Sequence, residues 1–575
     1  MKYNIEYYQP HNQYLKIQAV FEVKEQNKTI IIFPTWRPGR YELADFSKNI
    51  NHWKCSNDKG KSIKSTKISK NEWEVDTKNT DTLTVDYFFY ANQLNAGSTF
   101  MDDMQLYVNP VNCLAYIKSQ QNQPCELKVN VPNNFQIASG ILFENNVLKT
   151  ESYHQLVDCP FIASATLQHE TYKLNEIIFH IWVQGEAKMD WKKVKNDFIK
   201  FTRLQLKNFE GFPVDDYHFL FQILPIKAYH GVEHQNSTVI ALGPSYELMN
   251  NLYDDFLGVS SHELYHTWNI KSIRPKEMMP YDYSKENYSN LGYVAEGVTT
   301  YMGDLYLSAS KTKTWQWYKT ELEKLFQKHF DNFARFNYSV AQSSWDTWLD
   351  GYEQGVPNRK VSIYNEGAIL AFITDITIRH NTENKESLHD VMQTMWHKFG
   401  QKKIGYTDQD YIKIVSDFAK EDLTPFFEKY FYTANAYEPI LAEALFNCGL
   451  EINTSDNPNF TQRILGVKIV SVNGKVIAKQ IYPSSPAELG KVIIDDEIIA
   501  INGFKVNQDL EKWVEYFKDD QIELTVNRMG RIISLICPHT NRNYYPIYKI
   551  NKVKIPSSLQ MRIFKKWCGY KWLDE

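Results

Sequence analysis

The chain has 575 residues, 43% of them hydrophobic and 23% charged, which excludes disordered and fibrous classes and allows about three or four domains. Lys plus Arg number 64 against 68 Asp plus Glu, so a net charge of -4 leaves no basic excess to grip a nucleic-acid backbone. Cys55, Cys113, Cys125, Cys159, Cys448, Cys537 and Cys568 are odd in number, scattered and without a CxxC pair. That pattern points away from a disulfide framework and toward a reducing compartment. The N-terminus carries no apolar leader, and no run approaches the roughly 18 apolar residues of a membrane span, so the expected location is the cytoplasm, with no membrane partner.

Taken in chain order, the first 165 or so residues read as strands. Leu15, Ile17, Ala19, Phe21 and Val23 alternate with mostly polar neighbours, the period of a half-buried strand. Runs 29–33 and 82–90 are rich in β-branched and aromatic residues and are separated by Asn, Asp, Gly and Pro clusters. Helical spacing begins near Met189 with Trp191, Val194, Phe198, Phe201 and Leu204, and a strand over 219–224 follows. From Ser245 to about Leu450 helix dominates. Leu388, Val391, Met392, Met395 and Phe399 form a core stripe, and Thr407 with Asp410 resembles a capping box. Near Asp456 the texture changes. Residues 461–537 read as a small β-rich unit, and the last 35 residues are expected to pack back on the body.

The sharpest chemical signal is His262-Glu263-Leu264-Tyr265-His266. On a helix, positions i and i+4 share one face, so two imidazoles there can reach one tetrahedral zinc ion. Glu263, next to the first histidine, can face the open coordination position and act as general base on water. Chance produces such a motif in roughly a few per cent of chains this long, and a surface helix with two ordinary histidines is the competing reading. A catalytic zinc needs a third protein ligand. Glu277, Asp282, Glu286 and Glu296 are the downstream candidates. The first three fall in a loop-like stretch and Glu296 in a second helix, which positions it better.

Ser261-His-Glu-Leu-Tyr-His-Thr-Trp-Asn269, Ile273-Arg-Pro275 and Ala295-Glu-Gly297 with Tyr301 together resemble the PDZ-containing glycyl aminopeptidase family, zinc metallopeptidases of the gluzincin type. Trp36-Arg-Pro-Gly-Arg-Tyr41, Gly231-Val-Glu-His234 and Ser362-Ile-Tyr-Asn-Glu-Gly367 extend the resemblance, in order, over most of the chain. The resemblance implies a multidomain α+β chain: an all-β N-terminal domain (1–165), a thermolysin-like, mainly helical catalytic domain (166–455), a PDZ-like β domain (456–540) and a tail (541–575). It implies His262, His266 and Glu296 as ligands of one zinc ion, Glu263 as general base and Tyr364 as oxyanion donor. Glu233 is implied to hold the α-ammonium of a peptide with a free N-terminus. Val232, Val298, Ile363 and Glu366 depart from the family pattern and bear on the shape of the pocket for the N-terminal residue. His230 and His234 flank Glu233 as pocket or packing residues. Thr299 and Thr300, about one turn beyond Glu296, are candidates to hydrogen-bond a ligand.

Residues 461–537 resemble a PDZ domain. Leu465, Gly466 and Val467 match its carboxylate-binding loop, and Asp495 stands where a glycine is common. Such a loop captures a peptide C-terminus while an added strand extends the sheet edge; a purely structural module is the other reading. Three functions follow: a zinc aminopeptidase preferring small residues such as Gly or Ala, a zinc endopeptidase, or a peptide-binding PDZ module with an inactive metal site.

Overall fold

The computed structural model describes every residue except Glu25, Glu353, Gln354 and Glu575. It is a multidomain α+β chain with an N-terminal β domain and a helical middle region. Alternation makes the N-terminal sheet. Leu15, Ile17, Ala19 and Phe21, all fully buried, are the inward face of the strand Tyr14–Glu22, which pairs with Lys2–Glu6 on one side and Thr82–Tyr90 on the other. Seven strands form this sheet, antiparallel except where Lys2–Glu6 runs parallel to Cys125–Asn130. A three-stranded and a four-stranded sheet complete the domain.

The middle region is less purely helical than the sequence suggests. A five-stranded sheet precedes the helices, in the order Gln168–Leu174, Ile177–Gln184, Asp216–Ile223, Ser237–Gly243, Ala228–Glu233. Only one of these, over 219–224, is expected from the sequence. A tight turn with Asn175 at φ 55 separates the first two. The helix Trp191–Phe209 covers one face of the sheet, with Val194, Phe198 and Phe201 buried in the main core. The helices Tyr253–His266, Thr299–Ala309, Trp315–Phe330 and Ile363–Asn381 follow. The capping box at Thr407 and Asp410 forms and starts the helix Asp408–Ala419.

Residues 467–537 fold into a separate sheet with its own core, including Leu465, Val467, Ile498, Ile501 and Leu524. The strands that flank it in sequence, Leu450–Ser455 and Ile547–Lys552, pair with each other, so the unit is inserted between two strands of the body. At the C-terminus, Ile563, Phe564 and Trp567 of the helix Ser558–Cys568 belong to the main core. Asp495 takes the left-handed φ of 71 that favours glycine, a conformation Asp tolerates, and its carboxylate meets Lys479 at 2.6 Å. All seven cysteines are buried and free. Among the described residues no helix is long and apolar enough to cross a membrane.

Candidate metal centre and substrate cleft

The helix Tyr253–His266 places His262 and His266 one turn apart, as their spacing requires. Their rings stand nearly perpendicular, at 84°, with Nε2 atoms 3.0 Å apart. Glu296 comes from a π-helical turn, Tyr293–Val298, that runs into the helix Thr299–Ala309. Such turns are rare, and they set a side chain off the ordinary helical register. Glu296 Oε2 lies 3.3 Å from His266 Nε2 and 3.7 Å from His262 Nε2. Ligands at zinc's usual bond lengths, arranged tetrahedrally, are about 3.3–3.4 Å from one another. The three separations bracket that value, and two imidazoles with a carboxylate are a donor set that suits zinc. Of the four downstream carboxyl candidates, only Glu296 gathers with the histidines. Asp282 instead pairs with Lys118 at 3.2 Å.

Hydrogen bonds fix the donors. His266 Nδ1 lies 2.9 Å from the Asn269 carbonyl, a contact that puts a ring proton on Nδ1 and leaves Nε2 as the ring atom that faces Glu296. Asn269 Nδ2 donates to the Val294 carbonyl at 2.8 Å and to Thr299 Oγ1 at 3.0 Å, tying the end of the motif helix to the turn that carries Glu296. Thr299 Oγ1 is also 3.5 Å from His266 Nδ1, whereas Thr300 Oγ1 is buried without a partner among the described residues. Burial works against charge on both imidazoles. On His262 it prevails and lowers the pKa, while on His266 the Glu296 carboxylate prevails and raises it to about 10. Burial opposes ionisation of Glu296 as well, but the two histidines hold it down at about 2.

Glu263 is only 5% exposed, and its Oε2 has no partner among the described residues. Burial, reinforced by the Glu233 and Glu296 carboxylates, pushes it up to about 8, the range in which a carboxylate serves as a proton acceptor near neutral pH. It fits because Gly231 lacks a side chain: a Cβ there would stand 2.1 Å from Glu263 Oε1. Glu233 ends the strand Ala228–Glu233, two residues from Gly231 and on the same face. It is 3% exposed and its Oε1 is also unpartnered among the described residues. Tyr364 lies in the first turn of Ile363–Asn381, where the Ser362 side chain accepts from the Asn365 N–H. Its ring centroid is 6.5 Å from that of His262, and burial keeps its phenol protonated.

His262, Glu263, His266, Glu296, Glu233 and Tyr364 all line one cleft of about 980 Å³. Val232, Val298, Ile363 and Glu366 do not. Val232 faces Ala138 and Ile162 of the N-terminal domain, Val298 and Ile363 belong to the main core, and Glu366 meets His329 at 2.7 Å. Their departure from the family pattern therefore leaves the pocket walls alone. His234 packs against Asp158 at 3.1 Å, away from the cleft. His230 lines the cleft and meets Arg37 Nη2 at 3.2 Å. Burial and Arg37 push its pKa down to about 3, so it is neutral.

Sequence reasoning missed two residues. The Tyr41 hydroxyl, from the Trp36–Tyr41 turn of the N-terminal domain, donates to Glu296 Oε1 at 3.5 Å, and Tyr352 lies beside both Tyr41 and Tyr364. The turn's own motif was the available signal for Tyr41, since Trp36 Nε1 anchors it by donating to the Asp282 carbonyl at 2.8 Å. For Tyr352 there was none.

A family model described as the Peptidase M61 N-terminal domain matches residues 2–165, and one described as M61 glycyl aminopeptidase matches residues 255–370. Among solved structures, an aminopeptidase N family protein from Idiomarina loihiensis is similar over 99% of both chains, at 25% identity and a TM-score of 0.90. An M1 zinc metallopeptidase variant from Deinococcus radiodurans, bound to a Tyr-Ser-Ala substrate, is 12% identical with a TM-score of 0.47, covering 76% of this chain and 94% of its own. No curated protein sequence matches this chain.

Proposed function

Because this chain belongs to the M61 glycyl aminopeptidase family and is a peptidase of the aminopeptidase type, we propose that it hydrolyses the N-terminal peptide bond of peptides with a free amino group, preferring small residues such as Gly or Ala, with one zinc ion per chain. His262, His266 and Glu296 would hold the ion. Zinc bound there supplies Lewis acidity toward the scissile carbonyl and toward water. Glu263 takes the proton from the attacking water and delivers it to the departing amine. Tyr364 donates its hydroxyl proton in a hydrogen bond to the developing oxyanion, a type of contact worth about 3–4 kcal/mol. Glu233 pairs with the substrate α-ammonium, which sets the cut one residue from the N-terminus.

The observation that carries this reading is the shared cleft. Three donor atoms 3.0–3.7 Å apart share the cleft with Glu263 and Glu233, each of which has one buried carboxylate oxygen without a partner among the described residues. A metal assay combined with hydrolysis of Gly and Ala chromogenic amides, with and without a chelator, tests it. Activity that survives complete removal of zinc rejects it. An endopeptidase would cleave N-acetylated peptides as fast as free ones.

The domain boundaries at 165, 455 and 540 and the PDZ-like identity of the third unit belong to the same proposal. Its strand Val467–Val472 pairs on one side only among the described strands and follows the Leu465-Gly466-Val467 loop, which suits capture of a peptide strand or C-terminus. Seven buried free cysteines suit the cytoplasm.

A further inference from the structure

One end of the cleft takes no part in the chemistry above. The strand Ala228–Glu233 is the outer edge of the five-stranded sheet, bonded only to Ser237–Gly243 among the described strands. Tyr229, Gly231 and Glu233 alternate onto one face and all line the cleft. They act as a ruler. Glu233 marks the amine end and Gly231 lies against Glu263. Tyr229 is about 13 Å from Glu233 along the strand at about 3.3 Å per residue. A peptide added antiparallel to this edge, its amine at Glu233, brings its second and third residues beyond the scissile bond past Tyr229.

There the wall is acidic. Asp304 lies two helical turns beyond Glu296 on the same face, Asp255 in the first turn of the motif helix, and Glu321 on Trp315–Phe330. Glu321 is matched by Lys324 at 2.8 Å, and Asp254 pairs with Lys313. Asp255 and Asp304 have no ion-pair or hydrogen-bond partner among the described residues, and the remaining cation is Lys328. Burial, then Glu321, pushes the Asp304 carboxyl up to about 7 and raises Asp255. Tyr229, 61% exposed, lines the same cleft as Asp255 and Asp304. Independently, the buried, unpartnered oxygens of Glu233 and Glu263 aim into the same cleft and mark it as built for a ligand.

We propose that Asp304 and Asp255, with Tyr229 as the face on which the aliphatic stem lies, form an acidic subsite that selects peptides carrying Lys or Arg at the second or third residue after the scissile bond. The proposal rests on the aminopeptidase reading and on the amine end being at Glu233. The test is kcat/KM of the zinc-loaded full chain on Gly-Ala-Lys-Ala, Gly-Ala-Ala-Ala and Gly-Ala-Glu-Ala, all with free amines. The Lys peptide should exceed the Ala peptide by roughly three- to tenfold, the worth of a partly exposed charge pair, and the ratio should shrink in high salt. The Lys-to-Ala ratio should fall toward one in D304N and reverse in D304K, with D255N giving an independent, smaller fall. A flat ratio in the parent protein, a ratio unchanged in both D304N and D255N, or a preference for the Glu peptide read by Lys328 overturns the subsite while the aminopeptidase reading stands. Failure to cleave any of the three overturns both.

Discussion

Gly297 and Gly367 meet backbone to backbone. A Cβ on Gly297 would stand 2.4 Å from Gly367 Cα, and one on Gly367 would stand 2.7 Å from Gly297 Cα. Glu296 precedes one of these glycines and Tyr364 lies almost one turn before the other, so a single helix crossing sets the distance between the proposed third metal donor and the phenol. Gly297→Ala must push the helices apart. It should cost about 1–3 kcal/mol of stability and lower zinc affinity and kcat together. Thermal unfolding with a zinc titration checks this; unchanged affinity would mean that the crossing does not position Glu296.

Glu263→Gln keeps the side-chain volume and removes the proton acceptor. Turnover should fall by about 10²–10⁴ or more while zinc content per chain stays at the parent value. Metal analysis of the same sample used for the rate separates a lost base from a lost metal.

Tyr364→Phe removes one hydroxyl from a ring whose position the helix start fixes. If that hydroxyl meets charge that develops only in the transition state, kcat should fall about 10²–10³ with KM little changed. A rise in KM at constant kcat would assign Tyr364 to substrate binding instead.

Much of this was legible locally. The β-domain shows in the two-residue alternation of Leu15 to Val23, and the histidine pair in the helical period, because both depend on neighbours in sequence. Glu296 stood out from Glu277, Asp282 and Glu286 because a helix offers a rigid mount, although the π-turn that aims it has no local pattern. The five-stranded sheet was mostly hidden. Its edge strand Ala228–Glu233 is six residues long, and its face is decided by what packs on it: Glu263 at Gly231, the N-terminal domain at Val232. Tyr41 reaches Glu296 from 255 residues away, a closure that no window of sequence contains, whereas Tyr352 stands 12 residues before Tyr364 with no local pattern that marks it. The role of Glu233 came from family resemblance; the structure adds its burial and its unpartnered oxygen.

Glu233 acts on Glu263 as well as lining the cleft, where it is the proposed partner of the substrate amine. Burial is the main reason the Glu263 carboxyl is raised, and the Glu233 charge adds to it. Glu233→Gln therefore has two separable consequences. Free-amine peptides lose a buried ionic contact worth about 2–5 kcal/mol, so their kcat/KM should drop roughly thirtyfold or more, while N-acetylated peptides, which bring no cation, change far less. With the neighbouring negative charge gone, Glu263 gives up its proton more readily and its pKa falls. The general base must be deprotonated to act, so the acid limb of the pH profile should move to lower pH. The limb is read on an N-acetylated peptide, where substrate-amine titration plays no part. A limb that stays in place, or moves to higher pH, would show that the Glu233 charge does not reach the base.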